Sequence, residues 1–556
     1  MRFLTCGLLA YCLCEVAFAQ PSIGVGGVVN AASFSQQGLP NSAIAQGSIF
    51  SVFGANMGTS AAAGVTAAAF PLTANLDDGT GKTTSVAVTV NGITTNALMI
   101  FARHDQINAV LPSNTPVGTG TITVTYNGQT SAPQPITVVK TSMGVFTVNQ
   151  GGSGPAVVTD ANFKLITRTN SAKPGQTLIL WATGAGPVSF DESRPPTTTV
   201  NLQSAAKAQI YVNGTLVTPS FVGRSGCCSG EDQINFQVPQ GVSGCNIAVA
   251  VQTGDPVVSN FASIAVAPNG GSCSDSNGLS STDLAKLQSQ GSLKIGVLGM
   301  GRTTTTIPAI AGQPASTTTS DDAFGTFVKF DLTTFNQNQG LFRNASIGGC
   351  LVFTFSGQNT QTTDPVKSVP LDAGAAISLT GPGFSGSLTK FPQVAGFYSA
   401  TVQGDPFASG GAYTFAGPGG ADVGIFNAHL NVSPALTWTN AAQITTVHES
   451  AGQLITWTGG DSNGTVQING SSISGTEAPI VGASFVCTAP NSAKQFTIPS
   501  AVLLTLPPSP SDSPFPLGSL SVSAQGAFQN FTASGLDIGF AIATDGSGQS
   551  VTYAQQ

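Results

Sequence analysis

Charge is scarce in this chain: 8% of its 556 residues are Asp, Glu, Lys or Arg, against about 25% in an ordinary soluble protein. The little charge present leans acidic, for a net of -7. No basic stripe is left to neutralise phosphates, which argues against nucleic acid and against acidic membrane surfaces as partners. Only three histidines occur, at His104, His429 and His448, so a histidine-built catalytic or metal centre is not expected. Helical periodicity is nearly absent. One candidate remains, SSTDLAKLQSQ at 280–290, where Ser281 or Thr282 caps a turn or two before Leu284 and Leu287. Beyond the first twenty residues nothing approaches the roughly 18 apolar residues of a membrane helix, so no membrane insertion is expected.

Gly, Thr, Ser, Asn and Gln supply the polarity instead, as in exported β-proteins. The opening MRFLTCGLLAYCLCEVAFAQ reads as a signal peptide, with Arg2, an apolar run and a small-x-small site at Ala17–Ala19. It places the protein outside the inner membrane, secreted or at the cell surface. Of nine cysteines, six follow this segment: Cys227, Cys228, Cys245, Cys273, Cys350 and Cys487. An even count in an oxidising compartment predicts disulfides. Grouping pairs Cys227 and Cys228 outward with Cys245 and Cys273, in an order left open, and leaves Cys350 for Cys487. Zinc is the rival reading, set aside because no C-x-x-C and no nearby histidine supports it.

Most of the chain is written as short alternating runs closed by turn residues. SVAVTVNG at 85–92, ITVTYNGQT at 122–130, AQIYVNG at 208–214 and TVQINGSS at 465–472 each carry Asn-Gly, a hairpin signal. Such a pattern predicts an all-β fold of sandwiches. Four phrases recur in order at offsets of 122 to about 130. They are GSIFSVFGANMG and GQTLILWATGAG, VAVTVNG and AQIYVNG, RHDQINAVLP and EDQINFQVP, PVGTGTITVTYNG and GVSGCNIAVAVQTG. Two copies of one domain follow.

Residues 25–268, with VVNAASFS, GSIFSVFG, WATGAGPV and both DQIN phrases, resemble the Solibacter-type C-terminal domain, a family of secreted proteins of Acidobacteria with no established function. The resemblance implies a pair of immunoglobulin-like sandwiches and transfers no catalytic residue. Residues 370–556, with LDAGAAISLTGPG and TWTGGDSNG, resemble a region of exported proteins of the same bacteria. The expected layout is a signal peptide at 1–19, immunoglobulin-like sandwiches at 20–142 and 143–268, a linker with a short helix at 269–292, and sandwich units at 293–435 and 436–556, with 293–556 forming one unit or two.

Few residues invite chemistry. In DQINFQVP alternation sets Ile234, Phe236 and Val238 on one face and Gln233, Asn235 and Gln237 on the other; Ile107, Ala109 and Leu111 repeat the apolar face. The phrase therefore reads as scaffold, with each Asp a turn-closing acceptor and an outward amide ladder for sugar hydroxyls as the lesser reading. GDSNG at 460–464 matches G-x-S-x-G around Ser462, but strands flank it and no histidine follows His448, so a nucleophile elbow is not expected. Asp461, Asn463 and SDSNG at 274–278 weakly resemble calcium loops without the closing carboxylate. Trp181, between Leu180 and Ala182, reads as buried. Trp438 and Trp457, in sibling TWT phrases, are the candidate ligand-binding pair, a platform for sugar rings.

These readings predict no catalytic residue, no metal site and no cofactor, calcium being possible but unsupported. The expected function is a secreted, non-enzymatic binding, adhesion or structural module whose partner is an extracellular protein or polysaccharide. A lectin is the first alternative and a hydrolase with a loop-built site in the C-terminal half the second.

Overall fold

The computed structural model describes residues 20–275, 279–307, 314–331, 344–356, 368–392, 394–477, 480–510 and 516–555. The expected signal segment at 1–19 lies outside them. The fold is all-β, and no described helix is long and apolar enough to cross a membrane.

The first module packs two sheets face to face. One runs Ser22–Asn30, Ile49–Ala55, Gln106–Val110, Leu98–Ala102, Val65–Thr66; the other is centred on Gly118–Tyr126 beside Thr83–Val90. Val86, Val88 and Val90 alternate into the core against Phe50, Val52, Ile107 and Ala109, all fully buried. The second module repeats the arrangement. Thr177–Thr183, Asp232–Gln237, Phe221–Arg224 and Val200–Asn201 follow the same order in one sheet, and Gln209–Val212, Gly244–Gln252 and Ala262–Val266 build the other. Both DQIN phrases are central strands with the predicted apolar face inward. Asn91-Gly92, Asn127-Gly128 and Asn213-Gly214 all take left-handed backbone, the type I′ requirement.

Asn469-Gly470 does not turn. It lies within strand Thr465–Ile473, because a Cβ on Gly470 would stand 2.3 Å from the Tyr553 hydroxyl and 2.5 Å from the Phe485 ring. The glycine serves close packing there rather than a hairpin.

The expected cut between 435 and 436 is also not where the sheets divide. Fifteen described strands form one sheet through the C-terminal region. At its centre Ser292–Ile307 pairs antiparallel with Ser316–Asp331 and parallel with Ile538–Ala554. Cys350–Ser356 crosses to the far edge and pairs with Val481–Pro490. Two cores flank this sheet, one around Phe327, Tyr398 and Phe415, the other around Trp457, Phe485 and Tyr553. The second core also takes in Leu39, Tyr211 and Phe261 from the two modules. The linker helix is Ser281–Gln290, capped by Ser280, one residue earlier than expected, because Asp283 at its third position closes a capping box. Its Leu284 and Leu287 bury against Leu293 and Phe330.

Candidate functional site

A few of the chain's charges are buried where its units meet. Arg224 is 1% exposed and pairs with Asp232, its register neighbour on the adjacent strand. Its Nη2 also donates to the carbonyls of Gly47 (2.7 Å) and Gly186 (2.8 Å), so the guanidinium ties the first module to the second. Glu192 stands beside it and accepts from the backbone N–H (2.6 Å) and hydroxyl (2.8 Å) of Ser113; burial raises its pKa above the usual carboxylate value. Gly47 has φ +71°, and a Cβ there would fall 2.2 Å from Arg224 Nη2. The Asp of the second DQIN phrase is thus an ion-pair partner at a module seam, not a turn closer. Its first-copy counterpart, Asp105, pairs on the surface with Arg103.

The second joint is centred on Arg168, whose Nη2 donates to Asn246 Oδ1 at 2.9 Å and whose pKa burial lowers to about 10. Asp275 accepts from the Cys245 N–H (2.9 Å) and the Ser346 hydroxyl (2.8 Å), which brings segment 344–346 onto the second module. Within the C-terminal sheet Arg302, partly buried, is bidentate to its register neighbour Asp321 at 2.8 Å twice, paired with Asp405, and 5.2 Å from the centre of the Phe407 ring. Asp545, in register with Arg302, accepts from the Leu436 N–H at 2.6 Å. A buried pair of this kind costs desolvation and contributes little net stability, but losing one partner strands a buried charge at about 3–5 kcal/mol.

All six cysteines form disulfides. Cys350–Cys487 is as expected, and Cys245 pairs with Cys273. Cys227 and Cys228 bond to each other, contrary to the outward pairing expected. The cause is placement: their loop rims the first joint, where Gly230 packs on Ile49 and Val110, whereas Cys245 and Cys273 lie by Arg168 and the linker helix. The sulfurs of Cys227 and Cys228 lie within 4.8 Å of a Glu231 carboxylate oxygen, but the disulfide removes both as thiolate ligands.

The remaining candidates are occupied by turns or burial. Asp461 Oδ1 accepts from the Asn463 N–H (3.0 Å) and Oδ2 from the Ala527 N–H (2.9 Å), which is turn-closing chemistry. Residues 276–278 of the other calcium-like phrase lie outside the described residues. Trp438 and Trp457 face each other across Thr437–Trp438 and Gln453–Thr458, but they are 7% and 1% exposed. Their indole N–H groups are held by Asn440 and Asn491 at 2.9 and 2.7 Å. Both belong to the core, so they offer no platform to a ligand.

An aromatic surface does exist, on the outer face of the DQIN sheets, and it is duplicated. Strand Thr177–Thr183 turns Leu178, Leu180 and Ala182 inward, which leaves Trp181 outward in register with Gln233 and only partly buried. Phe163 stacks on it with ring centres 6.2 Å apart and a 35° tilt. The first module repeats the pair as Phe34 on Phe53, 6.2 Å and 38°, with Phe53 in register with Gln106. Beside each pair runs an amide step, Gln233 Nε2 to Asn235 Oδ1 at 3.2 Å and Gln106 Nε2 to Asn108 Oδ1 at 3.1 Å. An outward phenylalanine stands opposite each asparagine, Phe221 and Phe101.

Phe163 and Phe34 have φ of 61° and 53°, the left-handed region where glycine or asparagine normally sits. Holding an aromatic residue there costs about 1–2 kcal/mol, and the ring pair returns about 0.5–1.5 kcal/mol. Burial does not make up the rest at Phe163, which is 65% exposed. The copies differ in surroundings. Phe34 lines a shallow cleft with Leu39, Gly151 and Phe355 at the edge of the C-terminal sheet, while Phe163 projects outward. Sequence reasoning placed Gln233 and Asn235 correctly but missed Trp181. The period-two phase of TLILWAT, which sets Trp181 opposite Leu180 and Ala182, was the available signal.

No protein-family model and no curated protein matches the chain. Among solved structures it is similar to domains 5–6 of the S-layer protein SbsC, at 15% identity over 44% of this chain and 98% of that one, TM-score 0.17. It is similar also to Bacteroides ovatus SGBP-B in complex with a mixed-linkage heptasaccharide, at 13% identity over 70% and 72%, TM-score 0.13. Domains FN1–FN3 of chicken CNTN1 are similar at 8% identity over 66% and 92%, TM-score 0.14. Likeness this remote says nothing about ligand or activity.

Proposed function

We propose that the chain is an exported, non-catalytic binding module: a stiff series of β-sandwiches that presents its outer sheet faces to an extracellular polysaccharide or protein. The observation that carries this reading is the pair of joints between units, each fixed by a buried arginine: Arg224 on Asp232 and on carbonyls of both modules, and Arg168 on Asn246, which in turn reaches segment 344–346. Building rigidity into junctions serves display of a surface; it does nothing for an isolated domain. The three disulfides agree with an oxidising address, as does the resemblance of residues 25–268 to the Solibacter-type C-terminal domain.

The test uses the chain from Gln20, incubated with cell-envelope fractions and with panels of glycans, peptides and esters. Saturable retention on one fraction without product is the expected result. Sustained product formation would overturn the non-catalytic reading, and its survival in Ser462→Ala and Asp461→Asn would place the chemistry elsewhere than at that turn.

A further inference from the structure

The duplicated aromatic surface identifies a class of ligand. We propose that the open copy in the second module, Phe163, Trp181, Gln233 and Asn235, is a binding site for a neutral polysaccharide. This rests on reading the chain as a binding module and names the ligand of that module.

A sugar ring presents an apolar C–H face and an edge of hydroxyls, so its receptor needs an aromatic surface beside neutral groups that both donate and accept. The face supplies both. Trp181 and Phe163 form the surface. Trp181 stands one strand from Gln233, about 4.8 Å away, and its indole N–H is occupied by Thr159 at 3.2 Å, which fixes the ring for stacking. The amide step uses Gln233 Nε2 and Asn235 Oδ1 on each other, leaving Gln233 Oε1 and Asn235 Nδ2 for hydroxyls, one acceptor and one donor.

Charge decides the class. The positions flanking these on the sheet are Thr177, Ile179, Phe221 and Gly223, none ionisable. In the adjoining turn Asp160 is held by the N–H groups of Asn162 and Lys164 at 2.8 and 3.0 Å. With strands free of ionisable groups and a turn in which Asp160 and the exposed Lys164 offset each other, the face carries no net charge and matches a neutral polymer rather than a uronic-acid or sulfated one, which call for a net cationic site. The Phe163 backbone adds an independent argument. The ring is kept at a position that favours asparagine and is left 65% exposed, so a role in stability does not account for it.

The experiment is affinity electrophoresis and tryptophan-fluorescence titration of the chain from Gln20, against soluble glucan, xylan and glucomannan and against charged pectate and alginate. At least one neutral polymer should retard the wild type and quench its fluorescence. Phe163→Asn, which suits the left-handed backbone, should fold with an unchanged or higher Tm and weaken binding at least about tenfold. Trp181→Phe should lose the fluorescence response. Gln233→Ala with Asn235→Ala should weaken binding about three- to tenfold, while Phe34→Asn, on the copy at the edge of the C-terminal sheet, should leave it within about twofold. Wild-type affinity in both folded Phe163→Asn and Gln233→Ala/Asn235→Ala overturns the site. Binding of only charged polymers, or of none while an envelope protein is retained, overturns the ligand class and leaves the binding-module reading standing. Product release from any of the polymers overturns that reading instead.

Discussion

Glu449 is, with Asp232, one of two carboxylates with no accessible surface among the described residues. Its side chain is 0% accessible, and neither carboxylate oxygen has a hydrogen-bond partner among the described residues. Its backbone N–H donates to the Ala554 carbonyl at 3.1 Å, which holds the residue at the end of the parallel pairing between Thr446–His448 and Ile538–Ala554. Burial pushes its pKa from 4.5 up to about 7. Nearby Tyr553 is 1% exposed, and burial together with the charge of Glu449 keeps its hydroxyl protonated.

The sign of the effect follows from linkage. A carboxyl whose pKa is raised on folding holds its proton more tightly in the native state, so ionisation favours the unfolded chain. The penalty is absent below the unfolded pKa of 4.5, grows as pH rises towards 7, and is constant above that. At about 1.36 kcal/mol per unit, its ceiling is about 3 kcal/mol, and water drawn to the ionised group reduces it. Glu449→Gln removes the titration while keeping the shape. Trp438 and Trp457 share a core with Val447 and Tyr553, so their fluorescence in urea melts follows the relevant unit. The variant should match wild type to within about 0.5 kcal/mol at pH 4 and exceed it by about 1–3 kcal/mol at pH 8. Any cost of the buried amide is equal at both pH values and cancels in the difference. A variant equal to wild type at both pH values, or weaker at pH 8, would show that the carboxylate is ionised and paired in the native state, and the reasoning would fail.

Three further outcomes follow from the same structure. Cys350→Ser with Cys487→Ser opens a link across 137 residues and should lower the stability of the tryptophan-containing core by about 2–5 kcal/mol in the same melts. Asn491→Ala removes the nearer of two acceptors of the Trp457 indole N–H, leaving the Asn491 carbonyl at 3.2 Å, and the amide donor to the carbonyls of Gly459 and Asp461, so calorimetry should register a loss of about 1–3 kcal/mol. Arg224→Ala leaves Asp232 buried without its partner and should cost about 3–5 kcal/mol, with hydrogen exchange rising first at Gly47 and Gly186.

Much of this was legible in the sequence where the physics is local. Alternation in DQINFQVP names the buried face of a central strand, since period two is the geometry of the pleat. Asn91-Gly92 announces a hairpin because two successive left-handed residues are needed there. The same dipeptide at 469–470 misleads, because what fixes it is a Tyr553 hydroxyl that arrives from 83 residues further along. Long-range pairing is equally silent. Nothing in Ser292–Ile307 tells that it lies parallel to Ile538–Ala554, and that pairing is why residues 293–435 and 436–556 share a sheet. At the candidate face, Gln233 and Asn235 were read outward and Trp181 inward, although all three obey one alternation. An aromatic flanked by Leu180 and Ala182 resembles core until the phase of the strand is counted. Trp438 and Trp457 alternate with threonines in their TWT phrases, and the structure buries both indoles in the C-terminal core, at 7% and 1% exposed.

The joints pose the last question, whether their buried charges hold the modules together or only hold them at a set angle. Replacing a buried ion pair by apolar residues of similar volume is often neutral or stabilising by about 1–4 kcal/mol, whereas removing one partner is costly. The facing charges of Arg168 and Asp275 allow the distinction, because Asp275 also receives Cys245 N–H and the Ser346 hydroxyl from two different units. Burial raises the Asp275 pKa above the usual carboxylate value, against the lowering effect of those hydrogen bonds and of Arg168. Arg168→Met alone should therefore destabilise by less than the full 3–5 kcal/mol of a stranded charge, through uptake of a proton by Asp275, and the loss should shrink as pH falls. Arg168→Met with Asp275→Leu should melt within about 1 kcal/mol of wild type or above it. Small-angle scattering of the double variant should nonetheless show a broader range of separations between the second module and the C-terminal sheet, because packing without directional hydrogen bonds fixes contact but not orientation. A double variant as unstable as the single one, with scattering unchanged, would mean that the pair supplies adhesion rather than angle. Display of the Phe163 face would then depend on the apolar contacts of Tyr211 and Phe261 with the C-terminal core alone.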